Sequence, residues 1–163
     1  KSPITIETLI NKTKAIQAVT DIDLIVVDYL QLLMTSNKAP SNSDSRAASM
    51  SYISNLLKGL AKEIGCPLIS LSQLNRGVEA RTDKRPVLSD LRDSGSIEQD
   101  ADMVIMLYRQ EYYDALDTGL AEVIIRKNRM GMTGDFELHF DGVNSRFLDP
   151  EDMAFGRKKY GQI

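Results

Sequence analysis

The chain has 163 residues, 42% of them hydrophobic and 26% charged, and its 20 basic and 23 acidic side chains leave a net charge of -3. Those values exclude a mainly disordered chain and a generally basic nucleic-acid coat, but not a local basic strip. A single cysteine excludes an internal disulfide framework, and with a single histidine it cannot build an ordinary zinc site. The sequence shows neither a run of about 18 apolar residues nor a signal-peptide pattern. The expectation is a cytoplasmic protein with no membrane partner.

The first predicted element is a helix. Thr5 suits its N-cap, Ile6, Leu9, Ile10, Thr13, Ile16 and Gln17 follow at helical spacing, and the helix should end near Val19. Leu24 to Val27 is an apolar run closed by Asp28, the pattern of a strand buried on both faces of a parallel sheet. The stretch from Ser36 to Ser45 reads as a mobile loop.

A second helix is predicted over 46–64, with Ala47, Met50, Ile53, Leu57, Leu60, Ala61 and Ile64 on one stripe. Gly65 stands where a C-terminal cap belongs, and Pro67 blocks continuation. Leu68 to Leu71 is a second short strand. The segment from Gln73 to Asp102 is polar and charged, with no sustained periodicity before Ile97, and a stretch this long is usually functional or mobile. Strands follow over 103–107, 120–125 and 135–140, the last two as a hairpin joined by a basic, glycine-bearing connection. Strands alternating with helices argue for an α/β fold.

In such sheets ligands bind beyond the carboxyl ends of the strands, where Asp28 and Gln73 fall. Asp28 can orient a magnesium ion against nucleotide phosphates or cap a nearby turn, and the residues alone leave both readings open. Gln73 can sense a terminal phosphate without adding negative charge, or be an ordinary loop glutamine. Arg76, Arg81, Lys84, Arg85 and Arg92 can contact nucleic-acid phosphates or form a solvated face, since six acidic side chains are interleaved with them or follow closely. Lys127 and Arg129, two apart, can present two cations to one phosphate or decorate a hairpin tip. Cys66 is expected to be a small buried residue and His139 a structural one. The methionines look like packing residues. No GxxxxGK[ST] phosphate loop occurs in the sequence.

Read together, the strings resemble one family. Leu24-Ile25-Val26-Val27-Asp28-Tyr29-Leu30-Gln31-Leu32-Leu33 resembles the Walker B motif of DnaB-type replicative helicases, and Leu71-Ser72-Gln73-Leu74-Asn75-Arg76 resembles their next motif. The segments from Asp83 to Val87 and from Asp90 to Asp102 resemble the block that follows, and Lys127-Asn128-Arg129-Met130-Gly131 resembles the family's lysine-x-arginine finger. Order and spacing agree from about Thr5 to about Phe147. Asp93 departs from the family's usual glutamate, and Asn55 stands where an arginine is common.

The resemblance implies a partial RecA-like (P-loop NTPase) fold with a mainly parallel central sheet and a C-terminal β-hairpin. Residues 1–150 would be the C-terminal part of the motor domain and 151–163 a tail. The phosphate loop, the catalytic glutamate and an N-terminal partner-binding domain are expected before Lys1, so the piece alone is expected to be inactive. The resemblance further implies ATP and Mg2+ as cofactors, and a homohexameric ring that moves 5′ to 3′ on single-stranded DNA. A helicase loader and primase would be partners. Asp28 would organise magnesium and Gln73 would sense the γ-phosphate. Arg92, Asp93 and Gly95 would track the DNA backbone, and Lys127 and Arg129 would act in trans on the neighbour's ATP. The competing expectation is a non-catalytic protein that binds a helicase ring or its loader.

Overall fold

The computed structural model describes residues 4–36, 46–113 and 119–149, with the side chains of 92–95 left aside. The predicted loop therefore lies outside the described residues except at Ser36, as does the tail 151–163. The chain divides into two compact units, the first formed by Lys1–Lys84 and Leu88–Ala101, the second by Arg85–Val87 and Asp102–Ile163.

In the first unit, α1 spans Ile6–Gln17, and the Thr5 side chain accepts from the Thr8 backbone N–H, as its position as N-cap predicts. Helix α2 spans Arg46–Ile64 and buries Met50, Ile53, Leu57 and Leu60 from the predicted stripe, together with Ser54. Gly65 ends it at φ 77°, a left-handed conformation that a side chain would oppose. Strands β1 (Ile25–Val27) and β2 (Leu68–Ser70) pair in parallel, Ile25 opposite Leu68 and Val27 opposite Ser70. The core gathers Ile6, Val27, Leu30, Leu33, Met50, Ile53, Leu57 and Ile97.

Burial on both faces of β1 is not what the structure shows. Val27 is buried, but Val26 is 58% and Ile69 51% exposed, and Leu24 and Leu71 are exposed beside them. Only one face of this two-stranded sheet rests on the core, and nothing among the described residues covers the other. Cys66 is buried, as expected.

The polar segment after β2 is ordered by short turns rather than left as an open loop. Two 3-10 stretches, Arg76–Ala80 and Leu88–Ser94, lead into the short helix α3 (Gly95–Asp100). The Asn75 side chain caps the first by accepting from the Gly77 N–H at 2.8 Å.

In the second unit, β3 (Met103–Tyr108), β4 (Leu120–Asn128), β5 (Gly134–Asp141) and β6 (Arg146–Leu148) form one antiparallel sheet in chain order. The predicted hairpin is β4–β5, with Leu120 opposite His139 and Ile125 opposite Gly134. Strand β6 was not foreseen: three residues are too few to show a period. Gly119 enters β4 at φ 62°, a conformation that favours glycine, and a Cβ there would stand 2.2 Å from the His139 ring, which would have to move aside. The methionines divide. Met50 and Met106 are buried, whereas Met130 and Met132 at the hairpin tip are 91% and 88% exposed and serve no packing role in the described structure.

Candidate functional site

The carboxyl ends of β1 and β2 carry the first group of candidates. Asp28 follows β1 directly and is exposed, with no hydrogen-bond or ion-pair partner among the described residues. The Asp28–Tyr29 peptide bond is cis. Pairing continues past the strands, as the Leu71 N–H donates to the Val27 carbonyl and the Leu30 N–H to the Leu71 carbonyl, each at 2.9 Å. These bonds hold the segment after Asp28 beside the segment leading to Gln73.

Gln73 is exposed and its backbone is held by a side chain the motifs did not single out. The Gln31 Oε1 accepts from the Gln73 N–H at 3.2 Å, and the Gln31 Nε2 donates to the Ser72 Oγ at 3.0 Å and the Gln73 carbonyl at 3.4 Å. Gln31, Arg46, Gln73, Asn75, Arg76 and Asp90 share the lining of a polar cleft of about 420 Å³. The two arginines make it suited to an anion.

Two of the five basic residues read as phosphate contacts are committed to structural ion pairs. Arg81 grips the buried Asp90 through Nη1 and Nη2, and Arg85 grips Glu122 through Nε and Nη2. Their partners lie 9 and 37 residues away, too far for a local pattern to reveal. Arg92 and Asp93 lie in the second 3-10 stretch and Gly95 opens α3, and their side chains fall outside the described residues.

The second unit carries the lysine-x-arginine pair. Lys127 sits near the end of β4 opposite Val104. Arg129 stands just past the strand, its N–H donating to the Asp102 carbonyl at 2.9 Å and its guanidinium 3.4 Å from the Asp102 carboxylate. Asn128 shapes the tip, accepting from the Met130 N–H and donating to the Met132 carbonyl, each at 3.1 Å. Arg129 is therefore on an ordered turn rather than a loose tip.

Residues 1–149 match the family described as DnaB-like helicase C terminal domain. The chain belongs to that family. Among its relatives, the replicative DNA helicase DnaB of Haemophilus influenzae is 52% identical over 141 residues, covering 85% of this chain and 29% of that protein. A probable replicative DNA helicase of Trieres chinensis is 47% identical over 133 residues, covering 78% and 29%. This DnaB-like domain thus spans about three-tenths of the length of those relatives.

Solved structures agree. The ATPase domain of G40P matches at a TM-score of 0.81 and 40% identity, covering 90% of this chain and 51% of that one. A DnaB-like replicative helicase, described together with its interactions with primase, matches at 0.82 and 40%, covering 91% and 36%. The RecA-like α/β expectation and the hairpin are met, but the sheet is not mainly parallel among the described residues: β1 and β2 pair in parallel, and the four-stranded sheet is antiparallel. No helix among the described residues is long and apolar enough to cross a membrane.

A magnesium ion at this site would need an accessible carboxylate. No cluster of three or more His, Cys, Asp or Glu side chains placed to hold a metal occurs among the described residues. Exposed, unpartnered Asp28 fits that need, because magnesium keeps most of its waters and takes its remaining ligands from phosphates.

Proposed function

We propose that this chain is the C-terminal part of the motor domain of a hexameric, ATP-dependent replicative helicase. The ring moves 5′ to 3′ along single-stranded DNA and separates the duplex ahead of a replication fork. It works in the cytoplasm with copies of itself, a loader and primase as partners. The observation that carries this reading is the pairing of β1 and β2, which brings unpartnered Asp28 and exposed Gln73 to one end of the sheet.

Asp28 would hold magnesium, which when bound supplies charge neutralisation at the phosphates of ATP. Gln73 meets the γ-phosphate with a neutral amide, which registers the phosphate without repelling it. Arg92 and the backbone near Gly95 hold DNA phosphates rather than bases, because a translocating ring must accept every sequence. Lys127 and Arg129 face the ATP of the neighbouring subunit, where two cations stabilise charge developing on the transferred phosphoryl group. The remaining parts of the motor, a GxxxxGK[ST] loop among them, belong to the longer polypeptide.

The test uses the full-length ring. Asp28→Asn and Arg129→Ala each lower DNA-stimulated ATP turnover, by roughly a hundredfold or more for lost transition-state stabilisation, while the subunits stay folded. Arg92→Ala weakens single-stranded DNA binding at low salt and keeps nucleotide binding. Retained turnover in both of the first two variants contradicts the site assignment.

A further inference from the structure

We infer that Gln31 is a positioning residue for Gln73, its side-chain amide fixing the backbone from which the phosphate sensor projects. The inference rests on the reading of Gln73 as that sensor.

The parallel ladder runs only as far as Leu71, because the chain after Asp28 leaves the strand and coils into a 3-10 turn over Leu30–Leu32. The backbone of β1 can no longer serve the groups of Gln73. The Gln31 side chain takes over that duty. A primary amide carries a donor and an acceptor in one plane, as a peptide group does. Its oxygen takes the Gln73 N–H and its nitrogen reaches the Gln73 carbonyl and the Ser72 hydroxyl. The amide thus extends the sheet by one residue on the segment that must meet ATP. A carboxylate would keep the acceptor and lose the donor, and an apolar side chain would lose both.

The same contacts tie together two segments of the proposed motor. Gln31 lies three residues after Asp28, so the clasp links the metal-holding segment to the sensor segment. Two residues beyond Gln73, the Asn75 N–H donates to the Asp90 carbonyl at 2.9 Å, and Asp90 lies in the first turn of the Leu88–Ser94 stretch that holds Arg92. A shift of Gln73 on phosphate loss therefore has a hydrogen-bonded route to the DNA loop. Misplacing a reacting group by about 1 Å can cost roughly a hundredfold in rate, so a loosened sensor backbone should act on turnover rather than on nucleotide affinity.

The experiment measures DNA-stimulated ATP hydrolysis by the full-length ring, together with hydrogen exchange at the Gln73 amide. Gln31→Ala is expected to lower kcat at least about tenfold with KM within about twofold, and to speed exchange at Gln73. Gln31→Met, of similar length but with neither donor nor acceptor of that kind, should match it in kcat. Adding Gln31→Ala to Gln73→Ala should cause no further loss, because the clasp acts only through Gln73. If Gln31→Ala disrupts assembly, Gln31→Met carries the same test.

Wild-type kcat in Gln31→Met, or unchanged exchange in Gln31→Ala, overturns the inference while Gln73→Ala remains inactive. Full activity in Gln73→Ala instead removes the sensor reading, and the inference falls with it.

Discussion

Arg81 holds the Asp90 carboxylate in a two-pronged grip, Nη1 to Oδ1 at 3.0 Å and Nη2 to Oδ2 at 2.8 Å, and the Asp90 carbonyl accepts from Asn75. One residue thus closes the segment between β2 and α3 through both its side chain and its backbone. Asp90 is buried, so removing the arginine leaves a carboxylate with little access to water. Arg81→Ala should lower unfolding stability by about 2 kcal/mol, discounted for the partly exposed arginine. Arg81→Lys should recover only part, because an ammonium cannot make the parallel pair of bonds. Denaturant unfolding of both variants decides it.

Arg85 is held within its own unit. Its guanidinium donates to Glu122 at 2.7 and 2.6 Å and lies 5.3 Å from the centre of the Tyr108 ring. Arg85→Ala is expected to cost about 1 kcal/mol of stability and to leave single-stranded DNA affinity and its salt dependence nearly unchanged. A salt slope reduced by about one would instead mark Arg85 as a phosphate contact.

Glu7 makes the first unit acid-sensitive. Its carboxylate accepts from the Ser36 hydroxyl at 3.0 Å and the Ser36 N–H at 3.3 Å, and from the Tyr52 hydroxyl at 3.5 Å. Burial pushes its pKa up, but hydrogen bonds from its own backbone, Ser36 and Thr5 outweigh that and hold it below the ordinary 4.5. A carboxyl depressed in the folded state stabilises above its unfolded value and loses that contribution as pH falls through the folded one. Stability should therefore drop below about pH 4.5, and Glu7→Gln should flatten that part of the curve. Identical pH profiles for the two proteins would remove Glu7 from the account.

Local signals in the sequence carried the helices and the hairpin. Thr5 caps α1 and Gly65 ends α2 because capping depends on a few adjacent residues. That Asp28 and Gln73 both follow paired parallel strands was also legible, since each comes after a short apolar run. Burial of β1 was misjudged because an apolar run reports preference, while Val26 and Ile69 have nothing described to pack against. The Arg81 and Arg85 pairs and the Gln31 clasp were illegible for another reason. Each joins residues that only the fold brings together, and a glutamine 42 positions before its partner leaves no local pattern.

The central claim is that Asp28 serves its own subunit's ATP while Arg129 serves the neighbour's. Full-length chains carrying Asp28→Asn and chains carrying Arg129→Ala, each inactive alone, can be mixed before ring assembly and assayed for DNA-stimulated ATP turnover. The account predicts partial recovery, because about a quarter of the interfaces in randomly assembled rings unite an intact Asp28 with an intact neighbouring Arg129. Mixed rings as inactive as either parent would contradict it, since they would place both residues at one site within one chain.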